Sequence, residues 1–330
     1  AEGVIAVDER DRVILANAAA AELLGFTMAD VESLSLLEVV RHHMLQQLVT
    51  DTRATESLQR AELEVHSGSE NRRVLDVQST PLPDASPQRV ILVLHDVTDL
   101  RRLESMRQEF VANVSHELKT PLSSIRAYAE TLSAGAVNDP EHRGTFLHRI
   151  EEQADRLNNL IQDLLSLSRI ESGRQTYDLA TVNVADTVTT CIAENQDAAN
   201  LKRIHLSCSD IQQDLRIQAD EEGLAQIINN LIGNAIKYTP EGGEVTVVLR
   251  QQDSTLCMDV RDSGIGIDEA HLTRVFERFY RVDKARSREL GGTGLGLAIV
   301  KHLAQAFGGN VTVTSQPMKG STFTVQLPVT

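Results

Sequence analysis

The chain has 330 residues, 41% of them hydrophobic, and a formal net charge of −15. That length and apolar fraction suffice for two or three domains with cores of their own, and no run of about eighteen apolar residues offers a membrane span. The acidic balance works against nonspecific nucleic-acid binding, which needs Lys and Arg to neutralise phosphates, and the scattered Cys191, Cys208 and Cys257 lack metal spacing and fit small buried thiols in a reducing compartment.

Residues 1–97 open with a stretch from Gly3 to Asn17 that places two short β-branched runs around a charged turn, which predicts a hairpin. The Ala-rich stretch that follows predicts a helix stopped at Gly25, and more helix is expected through 34–49. Strands are predicted at about 60–66, 72–80 and 89–96. This order gives an antiparallel sheet with helices on one face. With Asn17, Leu24-Gly25 and the exit Asp96-Val97-Thr98, the region resembles a PAS domain. None of the cysteines lies in it, which argues against a flavin adduct. Its His42, His43, His66 and His95 are read as surface or packing histidines, commoner than haem ligands, so no cofactor is assigned.

From residue 98 to 172 the pattern is helical. Leu103, Phe110, Val114, Leu118, Leu122, Ile125, Ala129 and Leu132 recur mostly at three- and four-residue steps. His116 sits two residues from both Val114 and Leu118, about 200° round from each, so it faces away from the apolar stripe. Glu117 adjoins it, Thr120 follows one turn on, and Pro121 predicts a bend just beyond. The segment Gly135 to Glu141 interrupts the helix, with Asn138 or Asp139 as N-cap and Pro140 as first helical residue. A second helix carries Leu147, Ile150, Ala154, Leu157, Ile161 and Leu164 in a heptad-like seam and ends near Ser172-Gly173. Two seams in one hairpin are best buried by pairing hairpins into a four-helix bundle, so a homodimer is expected.

A lone histidine on such a helix is ordinarily just solvated. Here, though, residues 110–122 read Phe-Val-Ala-Asn-Val-Ser-His-Glu-Leu-Lys-Thr-Pro-Leu, which resembles the H box of sensor histidine kinases. The resemblance implies that His116 accepts the γ-phosphoryl group of ATP, that Glu117 takes the imidazole proton, and that Thr120 helps dephosphorylate a response regulator.

Residues 176–330 hold four further stretches. Asn229 to Pro240 predicts a helix with Asn230, Asn234 and Lys237 on one face, a set suited to a hydrated hard cation beside phosphates. A strand ending at Asp262 leads into Gly264-Ile-Gly266-Ile267, where glycines allow close backbone approach to a flat ligand and Asp262 can accept from an exocyclic amine. Phe276 to Arg281 precedes a basic run ending in Gly291-Gly-Thr-Gly-Leu-Gly296, and Gly320-Ser321-Thr322 opens the last strand. The glycine string alone is weak evidence, and no Walker sequence is present.

Together and in this order, the four resemble the N, G1, F and G2 boxes of the histidine kinase ATP-binding domain, with Gly320 to Thr322 like its closing G3 region. The resemblance implies a Bergerat α/β sandwich that binds ATP and Mg²⁺. Asn234 would hold the metal, Asn230 and Lys237 phosphates, Tyr238 would pack near the nucleotide, and Asp262 would bind the adenine amine. Gly264, Gly266, Ile267, Thr293, Gly294, Leu295, Gly296, Leu297, Ser321 and Thr322 would complete the site, and 276–293 would form a lid hinged at Gly291, Gly292 and Gly294. Arg278 or Arg281 would balance γ-phosphate charge, within a locally basic run that includes Lys284, Arg286 and Arg288.

The expected whole is multidomain α+β: a PAS-like domain (1–97), a dimerising phosphotransfer hairpin (98–172) and a catalytic ATP-binding domain (176–330). It resembles the phosphate-sensing and cell-wall-sensing subgroup. Expected partners are a second copy and the receiver domain of a response regulator, with no nucleic acid and no membrane contact by these residues themselves. The resemblance implies a cytoplasmic portion of a membrane protein, with a transmembrane segment upstream. A regulator-binding scaffold or phosphatase and a gyrase-like ATPase are the rival readings.

Overall fold

The computed structural model describes residues 2–28, 31, 34–67, 71–82, 89–171, 177–209, 215–283 and 292–329. The expected helix stop at Ser172-Gly173 and the lid residues Lys284, Arg286, Arg288 and Gly291 lie outside the described residues. The chain divides into two compact units, residues 1–111 and 112–330.

The first unit is an antiparallel sheet with helices. Strands β1 (Gly3–Val7), β2 (Val13–Ala16), β3 (Gln59–Ser67), β4 (Asn71–Pro81) and β5 (Val90–Asp96) lie in the order β2-β1-β5-β4-β3. Alternation along β1 and β5 sends Ile5, Val7, Val90, Leu92 and Leu94 into the core. Helices α1 (Ala18–Leu24), α2 (Leu36–Val40) and α3 (His43–Thr55) belong to this unit, and their Leu23, Leu36, Leu45 and Val49 join the same core. Asn17 caps α1: its Oδ1 accepts from the N–H groups of Ala20 (2.8 Å) and Val4 (3.0 Å), and Gly25 ends the helix in the left-handed region at φ 74°. The helix expected through 34–49 is instead two, because Arg41 adopts φ 50° between α2 and α3. At the exit, Asp96 Oδ1 accepts from the Thr98 N–H (2.9 Å), while the Thr98 hydroxyl accepts from the Val74 N–H (2.9 Å). That tie anchors the first turn of the next helix to β4.

That helix, α4, runs unbroken over Thr98–Ser133 with Pro121 inside it. A short 3₁₀ turn, Ala136–Asn138, and Asp139 lead into α5 (Pro140–Glu171), and the Asp139 carboxylate accepts from the Glu141 N–H at 3.0 Å. The rest of the second unit is an α/β sandwich. Its main sheet, β11-β12-β10-β9-β7, is formed by β7 (His205–Ser209), β9 (Glu244–Gln252), β10 (Thr255–Asp262), β11 (Asn310–Gln316) and β12 (Gly320–Pro328). Within it β7 and β9 run parallel; β6 (Ala180–Asn183) and β8 (Arg216–Ala219) form a separate antiparallel pair.

Helix α7 (Glu221–Tyr238) packs against both α6 (Val184–Leu201) and α9 (Gly296–Ala306), with the short α8 (Glu269–Leu272) beside β11. The stripe Leu224, Ile227, Ile228, Leu231 and Ile232 of α7 is fully buried. At its C-terminus, Lys202 Nζ donates to the carbonyls of Ile236 (2.9 Å) and Lys237 (2.8 Å), satisfying groups that the helix leaves open. The Cys191 and Cys257 side chains are buried, and Cys208 is partly so.

Candidate active site

His116 stands exposed on α4, as its position off the apolar stripe predicts, and Thr120 is exposed one turn on. The Thr120 hydroxyl donates to the His116 carbonyl (3.1 Å), leaving its oxygen lone pairs outward. The neighbouring Glu117 is largely buried: its side chain is only 16% exposed, and its Oε2 accepts from Nη2 of Arg281 at 2.9 Å. Arg281 is itself 5% exposed. Arg156 of α5 places its Nη2 3.7 Å from the same oxygen.

Arg281 also lines a cleft of about 550 Å³. The α7 face of Asn230, Asn234, Lys237 and Tyr238 forms one wall; Asp262, Gly266 and Ile267 form another; Thr293, Gly294, Gly296 and Leu297 approach from the start of α9, and Ser321 from β12. Apolar surface comes from Ile265, Val275 and Phe323, so a flat heterocycle can be desolvated beside a polar, cationic end.

Four expected residues do not line the cleft. Gly264 sits in the turn behind Asp262, where an added Cβ would lie 2.7 Å from the Tyr238 carbonyl oxygen. Leu295 is 0% exposed and serves the core. Thr322 is committed to the β12 ladder opposite Arg261 and Thr314. Arg278 is an exposed residue beyond the lining, so of the two candidate arginines the structure brings Arg281 to the cleft.

Burial sets the electrostatics. Desolvation, with the positive charges of Arg281, Arg156 and Lys202 nearby, pushes Lys237 down to about 8. Desolvation raises Asp262 above the usual carboxylate range, opposed by N–H donors from Gly264 (2.8 Å) and Ser321 (3.2 Å). Both shifts favour an anionic ligand part near Lys237 and a hydrogen-bonding partner at Asp262.

Among the described residues Nε of Arg281 is buried without an acceptor, a costly state that an incoming phosphate oxygen would relieve. The residues present therefore fit a nucleotide. For a divalent cation, the amide oxygens of Asn234 and Asn230 are hard donors, and among the described residues no group of three or more His, Cys, Asp or Glu could hold a metal. A cation here would take its other ligands from phosphate and water.

Several partners of the site residues carried no signal in the sequence: Asp163, Asn159 and Arg156 of α5, with His271 and Arg274. Thr293 donates to Asp163 of α5 (2.7 Å), whose carboxyl is raised by burial. Tyr280 lines the cleft and its hydroxyl lies 2.6 Å from Nδ1 of His271, with the Arg274 guanidinium 4.4 Å above its ring. Asn159 of α5 also lines the cleft, and Arg156 reaches Glu117. Polar residues beside a helical seam look solvated in one dimension.

Three family models match the chain: a PAS fold over 1–102, a His Kinase A (phospho-acceptor) domain over 106–173, and a histidine kinase-, DNA gyrase B- and HSP90-like ATPase over 219–330. Among curated relatives, the sensor histidine kinase WalK of Bacillus subtilis is 35% identical over 99% of this chain and 53% of WalK. The sensor-like histidine kinase SenX3 of Mycolicibacterium smegmatis is 36% identical over 99% of this chain and 83% of SenX3. The phosphate regulon sensor protein PhoR of Pseudomonas aeruginosa is 34% identical over 98% and 71%.

Two solved structures share the fold: histidine kinase ThkA in complex with response regulator TrrA (TM-score 0.56, 20% identity, 99% of this chain and 96% of ThkA) and full-length ShkA with AMPPNP (0.51, 31%, 67% and 46%). The chain belongs to the sensor histidine kinases. It spans about half the length of WalK.

Proposed function

We propose that this chain binds Mg²⁺-ATP in the cleft, phosphorylates its own His116 and passes the phosphoryl group to an aspartate of a response regulator. One observation carries the reading: a single guanidinium, Arg281, joins the wall of the nucleotide-sized cleft to the carboxylate beside the exposed imidazole. In the transfer, a ring nitrogen of His116 forms a bond to the γ-phosphorus as the bond to the β-bridging oxygen breaks. Glu117 takes the ring proton, and ADP leaves.

Asn234 would hold the metal, which when bound would offset phosphate charge; Asn230 and Lys237 meet the phosphates, Arg281 the γ-phosphate, and Asp262 the adenine amine. The segment 276–293 acts as the lid. The AMPPNP held by ShkA and the regulator held by ThkA support the ligand and the partner.

Residues 1–97, 98–172 and 176–330 act as sensor, phosphotransfer and catalytic domains. The hairpin pairs with that of a second copy: Leu122, Leu147, Ile161 and Leu165 are each over 40% exposed in the single chain. Thr120 serves a phosphatase activity toward the regulator. Among the described residues no helix is long and apolar enough to cross a membrane, and the reading places these residues in the cytoplasm with a membrane anchor upstream.

A single-turnover measurement of ADP against retained phosphate separates this reading from a gyrase-like ATPase. Equimolar ADP and acid-labile phosphoprotein are expected. ADP accumulating without phosphoprotein contradicts it.

A further inference from the structure

The helical hairpin brings a second arginine to the site, and neither the cleft nor the H-box motif includes it. Glu117 in α4 and Arg156 in α5 lie about equally far from the Ala136–Asn138 turn, so an antiparallel hairpin sets them at one level. Both side chains are 16% exposed. One carboxylate oxygen thus faces two guanidinium groups from different elements, Arg281 hydrogen-bonded at 2.9 Å and Arg156 as a looser ion pair at 3.7 Å.

The two arginines differ in what else they can reach. Arg281 lines the cleft and keeps a buried Nε without an acceptor among the described residues, so phosphate in the cleft competes with Glu117 for it. Arg156 does not line the cleft. When Arg281 turns to phosphate, Arg156 is the cation already at Glu117.

Resting on the reading of His116 as phosphoryl acceptor and Glu117 as its proton acceptor, we propose that Arg156 is a positioning residue that takes over the Glu117 carboxylate during transfer and holds it beside the imidazole. Its charge also bears on the cleft, since it is among the groups that depress Lys237. Arg156 makes and breaks no covalent bond; it acts through Glu117.

The test uses the full 330-residue chain with γ-labelled ATP and Mg²⁺. Arg156→Gln is expected to lower the autophosphorylation rate at saturating ATP roughly tenfold or more, with KM for ATP within about twofold of wild type. Arg156→Lys, which keeps the charge and folds if glutamine does not, should recover part of the rate. In a Glu117→Gln background, Arg156→Gln should add little further loss, because its partner is already neutral. Additive losses in that cycle, or a raised KM with unchanged maximal rate, overturn the proposal. A wild-type chain that forms no phosphohistidine overturns the underlying reading instead.

Discussion

Lys237 illustrates how much of the site is electrostatic. Its side chain loses solvation and faces Arg281 and Arg156, and it titrates near 8, below the ordinary lysine value. Phosphate oxygens would favour the ammonium, so nucleotide binding should draw a proton onto Lys237 when the pH is near or above 8. The sign follows: KM for ATP is expected to rise as pH climbs past that value, and calorimetry in buffers of differing ionisation heat should show proton uptake on binding. A KM that stays flat from pH 7 to 9.5, on the order of two units about that point, would place Lys237 away from the phosphates.

Thr120 offers a second residue-scale prediction. Its hydroxyl back-bonds to the His116 carbonyl, so Thr120→Ala should leave α4 and autophosphorylation near wild type while slowing regulator dephosphorylation roughly tenfold. Unchanged dephosphorylation would remove that role. Much at this scale was legible: the H-box spacing placed His116 outward, and the α7 spacing put Asn230, Asn234 and Lys237 on the cleft. The choice between Arg278 and Arg281 was not. They are three apart in a segment without periodicity, and only packing buries one and exposes the other.

Elements were readable where side-chain alternation and backbone chemistry agree. Strands β3, β4 and β5 fall within a residue or so of their expected bounds, because Ala61, Leu63 and Val65 alternate with polar residues in β3 and β5 is a short apolar run rich in Val and Ile, and α1 begins and ends at the side chain and glycine suited to each role. The break between α2 and α3 escaped because it rests on Arg41 in a left-handed conformation, which a non-glycine rarely signals. The turn after β10 shows the opposite case, a glycine whose necessity is geometric. Gly266 has φ 68°, and a Cβ there would lie 2.0 Å from the Gln316 carbonyl oxygen. Gly266→Ala should therefore cost about 3 kcal/mol or more of stability, read as a lower denaturant midpoint, together with weakened nucleotide binding. Stability equal to wild type would show that the β10 and β11 ends part easily.

At the scale of the whole molecule, α5 serves two masters. The seam predicted from Leu147, Ile150, Ala154, Leu157, Ile161 and Leu164 leaves Leu147 and Ile161 exposed, at 49% and 41%, whereas Leu160 and Leu167 are buried and α5 packs against α9. A single periodic stripe was visible in the sequence; the second face became apparent only once α9 was in place. If the exposed apolar side chains meet a second copy, then Leu122→Asp together with Leu147→Asp should convert the chain to monomer by light scattering, with ATP binding kept. A double variant that remains dimeric would put the interface elsewhere.

The central claim is that the cleft serves one exposed imidazole, and the most direct measurement compares labelling from γ-labelled ATP in the wild type and in His116→Gln. The account predicts acid-labile label on the wild-type chain and none on the variant, with both binding nucleotide alike. Equal labelling of the two would contradict it.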